Sequence, residues 1–261
     1  MQPIRVLHIV TYMGRGGLET MLMNYYRHID RTKVQFDFLV HRDFEADYDA
    51  EILSLGGKIH HVSRLVPWSK SYQNELRTFF KAHPEYRIVH VHQDCLSSVA
   101  LKVAKECGVP VRIAHSHSSS ADKNLKYWIK RYYMKKISKY ATDLFACGKK
   151  AGDWMFGGEK YQIVRNAIDA KRYTYSMATA EKVRTSLNLH DELVVGHVGR
   201  FNPPKNHTFL IDIFYEIQKI NPSARLLLVG DGDGKKEIQE KARELGIADH
   251  IIFAGVRTDV E

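Results

Sequence analysis

The stretch VVGHVGRFNPPKNH, from Val194 to His207, carries two cations on either side of a stiff turn. Arg200 and Lys205 are separated by two prolines, which restrict the backbone, and a helix is predicted to begin near Asn206. Arginine offers phosphate oxygens a planar fork of N–H donors, and lysine adds a compact charge. We therefore expect this pair to neutralise the charge that develops on a departing diphosphate. The alternative is a solvated basic loop, which the prolines disfavour.

Two glycine-rich segments follow predicted strands and precede predicted helices. The first, TYMGRGGLET, ends its glycine series with Gly16 and Gly17, which would let an anion approach the N–H groups of a helix N-terminus. It does not match the dinucleotide fingerprint G-x-G-x-x-G, because Glu19 takes the place of the third glycine. The second segment, LLLVGDGDGKKEI, includes Gly230 and Gly232 and could contact phosphate or ribose. A tight strand–helix turn is the alternative for both segments.

Two histidine pairs lie at the ends of predicted strands, in the segments HVHQD and HSHSSS. Alternate residues of a strand point to the same face, so His90 should lie beside His92, and His115 beside His117. With Asp94 they supply enough ligands for a metal ion. Hydrogen-bonded histidines of the core or of a ligand cleft are the favoured interpretation, and we expect neither a metal nor another cofactor.

A basic and aromatic helix is predicted over residues 122–140, where lysines and arginines are interleaved with tyrosines and a tryptophan. This composition suits the surface of an acidic membrane. The alternative is a solvated outer face with Leu125, Trp128 and Ile129 packed inward. We expect a cytoplasmic protein whose only membrane attachment would be peripheral, at the inner face.

The elements that position these residues alternate between strand and helix. The alternation runs from Ile4 to Val164 and resumes at Leu193, after the segment RNAIDAKRYTYSMATAEK. Such alternation implies parallel sheets with helices on both faces, and so an α/β fold. We predict an N-terminal domain over residues 1–165 and a second domain over residues 166–261. The second has three strands and two intervening helices, and we expect it to be incomplete.

The composition excludes several classes of protein. The 261 residues are 44% hydrophobic and 26% charged, as in ordinary globular proteins, and the longest apolar runs are too short to span a membrane. Cys95, Cys107 and Cys147 form no C-x-x-C pair, which disfavours a disulfide framework and favours a reducing compartment. The net charge of +9 favours anionic partners, but no nucleic-acid-binding motif is present and we expect no nucleic acid.

Taken in order, these motifs resemble those of the retaining glycosyltransferases of the GT-B superfamily called family 4. The matches are GGLE, the two H-x-H pairs, RNAID for N-G-V-D, GRFNPPKNH for G-R-x-x-x-x-K-G, VGDGDG and FAGVRTDV. The spacing between Arg200 and Lys205 is the most specific of them. The most similar subgroup is that of EpsF-like and capsular-polysaccharide enzymes.

The resemblance implies two Rossmann-like domains facing a cleft, with the acceptor on the first and a nucleotide-sugar mainly on the second. It implies sugar transfer to a glycan or lipid-linked acceptor in surface or exopolysaccharide biosynthesis. The anomeric configuration would be retained by a front-face route without a protein nucleophile or a metal. Arg200 and Lys205 would hold the diphosphate, and His117 or His115 would hydrogen-bond the donor sugar near its reacting carbon. The other implied substrate-binding residues are Gly16, Gly17, Glu19, His92, Asn166, Gly199, Gly230, Gly232, Gly255, Val256 and Arg257.

Two departures from the family pattern affect these expectations. Ala167 stands where the family has a hinge glycine, and no E-x7-E element occurs before Glu261, so we expect this 261-residue form not to turn over. The alternatives are a sugar-nucleotide epimerase of the same fold and a non-catalytic nucleotide-sugar-binding module. A nicotinamide-dependent oxidoreductase is a third alternative, disfavoured by the missing third glycine and the basic loop.

Overall fold

The computed structural model describes residues 2–120 and 126–260. The chain divides into two compact units, Met1–Ile168 and Asp169–Glu261. Each unit contains a parallel sheet with helices between its strands, so the predicted α/β class is confirmed.

The first unit is built on a parallel sheet. Its described strands are β1 (Ile4–Ile9), β2 (Val34–Val40), β3 (Ile59–His61), β4 (Ile88–Val91), β5 (Val111–Ser116), β6 (Asp143–Ala146) and β7 (Gln162–Ile163). They lie in the order β3-β2-β1-β4-β5-β6-β7, so the chain moves outward from β1 and then returns to β4 on its other side. Ligands of open α/β sheets bind at such a reversal, beyond the carboxyl ends of the strands.

Helices cover both faces of this sheet. They are α1 (Gly17–His28), α2 (Asp49–Ser54), α3 (Lys70–Ala82), α4 (Ser97–Glu106), α5 (Lys126–Met134), α6 (Ile137–Tyr140) and α7 (Lys149–Phe156). Neighbouring residues of β2 belong to separate core clusters: Phe38 to one that includes side chains of α1 and α2, and Leu39 to one that includes side chains of α3 and α4. This alternation is what a strand buried on both faces requires. Complete burial of each large apolar side chain contributes about 1.5–3 kcal/mol.

The second unit contains a smaller parallel sheet in the order β10-β9-β8. Its elements are α8 (Met177–Ser186), β8 (Val194–Val198), α9 (His207–Ile220), β9 (Arg225–Val229), α10 (Lys235–Glu244) and β10 (Ile251–Gly255). The core lies between the sheet and the helices α9 and α10, where Phe201, Phe214 and Leu228 are buried. The three predicted strands and two intervening helices are therefore confirmed.

The single helix predicted over residues 122–140 is wrong in its described part, which forms α5 and α6 instead. The Lys136 N–H donates to the Tyr133 carbonyl at 3.0 Å, and this three-residue turn is tighter than that of an α-helix. The change of direction brings Ile137, which is 1% exposed, into the core. Tertiary packing therefore overrides a continuous helical pattern.

The predicted alternative, an inward-packed apolar stripe on that helix, is also wrong. Trp128 is 73% exposed and Ile129 is 39% exposed, so neither belongs to the core. Leu125, the third residue of the stripe, lies outside the described residues. The side chains of α5 instead form part of an aromatic and basic surface.

Candidate functional site

The basic loop after β8 is held by main-chain hydrogen bonds on both sides. The Gly199 N–H donates to the Val229 carbonyl at 2.9 Å, and the Phe201 N–H donates to the Asp231 carbonyl at 3.0 Å. The Gly234 N–H returns a bond to the Phe201 carbonyl at 3.0 Å. The Phe201 ring is 1% exposed in the core. The backbone is therefore fixed on both sides of Arg200, at Gly199 and at Phe201.

Arg200 and Lys205 are both exposed on this loop. Neither side chain has a hydrogen bond or an ion pair among the residues that the structure describes. Lys205 ends a single 3₁₀ turn, Asn206 then adopts a φ of +49°, and α9 begins at His207. The positive end of the dipole of this 14-residue helix therefore lies next to the two cations. The loop concentrates unpartnered positive charge on a rigid backbone.

The stem of Lys205 folds back over the end of β8. A Cβ atom at Gly199 would lie 3.2 Å from Lys205 Cε and 3.2 Å from His197 Cε1, so glycine leaves the space that the lysine stem occupies. The adjacent imidazole of His207 is 3% exposed, and neither of its ring nitrogens has a hydrogen-bond partner in the described part of the chain. Burial lowers the pKa values of His197 and His207, and the charge of Lys205 lowers both further. These histidines are therefore neutral at pH 7.

Glycines after β9 and β10 complete the surroundings of this loop. Gly230 has a φ of +137°, and a Cβ there would overlap the Gly199 carbonyl oxygen. Gly232 has a φ of +153°, and a Cβ there would lie 2.7 Å from the Phe201 carbonyl oxygen. The Gly230 N–H also donates to the Gly255 carbonyl at 2.8 Å. Protein packing alone thus requires the first two glycines, and three strand-end loops form one connected layer.

The segment Gly255–Arg257, which the resemblance implies to bind substrate, contains an arginine with a nearby acidic partner. Val256 is 69% exposed, whereas the Arg257 guanidinium binds Asp259 at 2.6 Å. Arg257 also lines a cavity of about 390 Å³, together with Tyr175 and Gly196. This cavity lies on the sheet beside the basic loop, within the second unit.

The glycine-rich loop after β1 forms the N-terminus of α1. Gly16 is the N-cap residue and Gly17 is the first residue of the helix. The Glu19 carboxylate folds back over Gly16, where a Cβ would overlap Oε2. A Cβ at Gly17, by contrast, would have no atom within 4 Å. Packing therefore gives no reason for glycine at position 17.

Asn166 lies after β7 in a segment that is tied to α1. The Tyr25 hydroxyl donates to the Arg165 carbonyl at 2.7 Å, and the Asn24 amide donates to the Ala167 carbonyl at 2.8 Å. Asn166 lies between these two anchored residues and is exposed. The structure therefore fixes the backbone on each side of this predicted site residue.

Five histidines line one face of the first sheet at the ends of β1, β4 and β5. Three hydrogen bonds join their rings: His8 Nδ1 to His92 Nε2 at 3.0 Å, His92 Nδ1 to His117 Nε2 at 2.9 Å, and His90 Nε2 to His115 Nδ1 at 3.1 Å. The predicted facing of both H-x-H pairs is confirmed, since the rings within each pair lie 4.1 Å apart.

His8 is the member of this cluster that sequence reasoning missed. It lies directly opposite His90 in the pairing of β1 with β4. A single histidine within the apolar run RVLHIV gives little signal. The alternation of facing residues could have indicated it once β1 was paired with β4.

The histidine cluster is neutral because it is buried. Desolvation lowers the pKa of His8 to about 3, that of His115 to about 3 and that of His117 to about 4. The pKa values of His90 and His92 are also lowered well below the usual range, by burial first and by the neighbouring imidazoles second. Neutral imidazoles form hydrogen-bonded chains and are also the form that binds metal ions.

Two sets of three histidines are spaced closely enough to share a metal ion. One ring nitrogen from each of His8, His90 and His92 lies within 4.8 Å of the others, and the same holds for the set His92, His115 and His117. Three imidazoles are a common ligand set for zinc. His92, however, belongs to both sets and uses both of its ring nitrogens in hydrogen bonds to other histidines.

Asp94 borders the histidine cluster. Its Oδ2 accepts a hydrogen bond from the Ser118 hydroxyl at 3.1 Å, and its φ is +45°. Burial raises the pKa of this carboxyl, while the bonds from Ser118 and the His117 backbone lower it. Two strand-end loops are thereby joined beside His117.

Comparison with known proteins identifies the family. The model of Glycosyltransferase Family 4 matches residues 15–172, and that of Glycosyl transferases group 1 matches residues 179–261. The chain is 35% identical over 262 residues to the glycosyltransferase EpsF of Bacillus subtilis (strain 168). That alignment covers 96% of the chain and 68% of EpsF. The chain belongs to glycosyltransferase family 4.

Two further similarities agree with this membership in family 4. The capsular polysaccharide biosynthesis glycosyltransferase CapH of Staphylococcus aureus is 25% identical over 97% of the chain and 70% of CapH. The solved structure of Anabaena HepE with UDP and glucose has a TM-score of 0.80 at 18% identity, covering 98% of the chain and 70% of HepE. At that identity the likeness concerns the fold, and it confirms the predicted GT-B class. No helix among the described residues of this glycosyltransferase is long and apolar enough to cross a bilayer.

Proposed function

We propose that this family 4 glycosyltransferase binds a nucleoside-diphosphate sugar through the loop from Gly199 to Lys205. The observation that carries the proposal is the rigid, unpartnered pair of cations at the start of α9. HepE, which has the same fold, was solved with UDP and with UDP-glucose. Both matching family models describe glycosyltransferases, which favours transfer over the epimerase alternative.

In this proposal the loop assists departure of the leaving group. Negative charge grows on the diphosphate as the glycosidic bond breaks, and Arg200 and Lys205 stabilise that charge together with the N-terminus of α9. Because the loop is already fixed by its main-chain bonds, little reorganisation accompanies the reaction. The cations take the part that a metal ion would otherwise take, and we propose that donor binding needs no metal.

Calorimetric titration with UDP and GDP tests the role of the cations. Arg200→Ala and Lys205→Ala should each weaken nucleotide binding about 10- to 100-fold, because a hydrogen bond to a charged group contributes about 1.5–3 kcal/mol. Lys236→Ala is the matched control, since Lys236 is exposed in α10 and pairs with Glu240 at 3.8 Å. Equal affinities for all three variants would contradict the proposal. A separate titration in EDTA tests the absence of a metal, and it should give the same wild-type affinity.

We also propose that His117 contacts the donor sugar and that Gly16 and Gly17 approach the diphosphate. His117 is half-buried at the end of β5, and its Nδ1 has no hydrogen-bond partner among the described residues. His115 is less suitable, because it is 1% exposed and its Nδ1 is used by His90. His117→Ala should therefore weaken binding of UDP-glucose more than binding of UDP, whereas His115→Ala should alter both equally.

The proposed acceptor is a glycan or a lipid-linked sugar of an exopolysaccharide or capsule. CapH, whose alignment covers 97% of the chain, is by its name a capsular polysaccharide biosynthesis glycosyltransferase, which supports this class of pathway. Transfer of labelled sugar from UDP-glucose to a lipid extract, lost on Arg200→Ala, would test it. Release of free sugar without a labelled lipid or glycan would contradict it.

An exposed aromatic and basic surface supports a second proposal, docking on an acidic membrane. Trp128 and Tyr132 of α5 are 73% and 57% exposed, and Trp68 is 65% exposed. Lys136 Nζ lies 3.6 Å from the centre of the Tyr132 ring. Trp68, Tyr132 and Lys136 also line one groove. Aromatic rings with adjacent lysines are typical of surfaces that insert between lipid headgroups.

Co-sedimentation with vesicles tests this docking surface. Binding to vesicles with acidic phosphatidylglycerol should exceed binding to phosphatidylcholine alone and should fall at high salt. Trp128→Ser and Lys136→Gln should each reduce it. Lys219→Gln is the matched control, because Lys219 also lies over a tyrosine ring, at 4.3 Å, but in the second unit. Binding that does not depend on acidic lipid would contradict the proposal.

A further inference from the structure

The five histidines form two separate hydrogen-bonded groups. One is the chain His8–His92–His117, in which His92 bridges the other two through its two ring nitrogens. The other is the pair His90–His115. The resemblance implies that His92 binds substrate, but His92 is 5% exposed and its two ring nitrogens are used by His8 and His117, so we place neither His8 nor His92 in direct contact with the donor. The hydrogen-bonded chain that they form ends at His117.

The hydrogen-bonded chain His8–His92–His117 has only two self-consistent arrangements of its protons. Each neutral imidazole has one N–H donor and one acceptor nitrogen, so every ring in the chain must donate in the same direction. In the outward arrangement, which runs from His8 toward His117, His8 Nδ1–H donates to His92 Nε2, and His92 Nδ1–H donates to His117 Nε2. In the inward arrangement both bonds are reversed, and His8 must carry its proton on Nε2.

Burial chooses between the two directions. His8 is 2% exposed, and its Nε2 has no hydrogen-bond partner within residues 2–120 and 126–260. A buried N–H without an acceptor is rarer and more costly than a buried acceptor without a donor. The outward direction leaves a bare Nε2 on His8, whereas the inward direction leaves an unpartnered N–H there.

We propose that His8 and His92 are positioning residues that hold His117 with its proton on Nδ1. His117 Nε2 is occupied as an acceptor, so Nδ1–H is the group that it presents to a ligand. The low pKa values of the three rings fit this assignment, because each ring then carries a single proton at neutral pH. His117 therefore acts as a neutral hydrogen-bond donor toward an oxygen atom.

The consequence for binding rests on the proposed function. A neutral Nδ1–H suits a hydroxyl or ether oxygen of a sugar, whereas a bare Nδ1 would accept only from a hydroxyl. His92 would thus affect the sugar part of the donor without touching it. The tautomer itself can be measured without any ligand, so the two ideas can fail separately.

Nitrogen-15 NMR of imidazole rings in the whole chain, labelled at histidine, is the direct test. We expect the His8, His92 and His117 rings all to show the pattern of an Nδ1–H tautomer at pH 7. His92→Phe should return His117 to the Nε2–H tautomer that free histidine prefers. His92→Asn should keep Nδ1–H on His117, since the amide can donate to Nε2. His90→Phe is the matched control and should leave the His117 tautomer unchanged.

An Nε2–H tautomer of His117 in the wild-type chain would overturn the inference, whether or not any variant folds. Zinc retained by the purified chain and bound through His92 would also overturn it, because the ring nitrogens would then be ligands; metal analysis before and after EDTA decides this. With UDP-glucose, His92→Phe should lose affinity about tenfold and His92→Asn much less, corresponding to one hydrogen bond. If the tautomers are as expected but UDP does not bind, the inference holds and the proposed donor site fails.

Discussion

Replacing Gly230 with alanine tests whether the loops after β8 and β9 form a rigid support for Arg200. Gly230 has a φ of +137°, which side-chain-bearing residues rarely adopt. Its missing Cβ would overlap the Gly199 carbonyl oxygen and lie 2.9 Å from the carbonyl carbon. Both atoms belong to the backbone, so they cannot move aside as the end of a flexible side chain could.

Two costs set the magnitude of this change. Holding alanine in a conformation reserved for glycine costs about 1–3 kcal/mol, and an added methyl group in a packed region costs about 1–3 kcal/mol. We therefore expect Gly230→Ala to lower the free energy of unfolding by about 4 kcal/mol. The displaced segment carries Arg200, so nucleotide affinity should fall as well.

Urea unfolding followed by circular dichroism provides the assay, with two alanine variants as controls. Gly246 has a φ of +69° but no atom within 4 Å of a Cβ, so Gly246→Ala should cost only about 1–2 kcal/mol from backbone strain. Gly196 in β8 has no atom within 4 Å and needs no positive φ, so Gly196→Ala should leave stability unchanged or slightly raised. If Gly230→Ala were no more costly than Gly246→Ala, the close packing of the two loops would be refuted.

Three further predictions concern the first unit. Since burial lowers the pKa of His8 and of His115 to about 3, the unfolded chain binds protons below pH 6.5 that the folded chain does not. The free energy of unfolding should thus fall by about 2 kcal/mol per histidine between pH 7 and pH 5, and urea titrations showing equal stability at both pH values would contradict this. Asp37→Ala should lower the free energy of unfolding by about 3–5 kcal/mol, because it leaves the partly buried Arg5 guanidinium without its carboxylate; Asp47→Ala, at an exposed ion pair with Arg15, should not change the thermal midpoint. Gly17→Ala should leave the thermal midpoint unchanged and weaken UDP binding, and unchanged affinity would remove that loop from the proposed site.

Sequence reasoning succeeded where a local pattern matched the final packing. The strands and the basic loop were predictable because apolar runs, prolines and a helix start coincide between Val194 and His207. The helix α8 was missed because none of its residues is buried, so it has no apolar stripe. Its only clear signal is Ser176, whose hydroxyl accepts from the Thr179 N–H at 3.3 Å. The helix α7 is weakly indicated by sequence for a different reason, because Gly152 lies in its middle and glycine lowers helix propensity.

The structure explains Gly152 by a contact with a residue outside the helix. A Cβ at Gly152 would overlap the ring of Tyr161, which also donates from its hydroxyl to Asp153 at 2.6 Å. Prediction of the chain His8–His92–His117 likewise needed information that the local sequence does not contain. Neighbouring strands had to be paired before His8 could be seen beside His92. Long-range register, rather than propensity, limited the prediction of the site.

The attachment of the Arg165–Ala167 segment to α1 has a consequence for how this part of the chain can vary. The acceptors of both bonds are main-chain oxygens, and every amino acid supplies one. Substitutions at positions 165 and 167 therefore keep the attachment as long as the backbone path is kept. The donors have no such freedom, because both hydrogen bonds come from the side chains of Asn24 and Tyr25. The attachment can therefore be broken by substitutions in the helix but not by substitutions at the two acceptor positions.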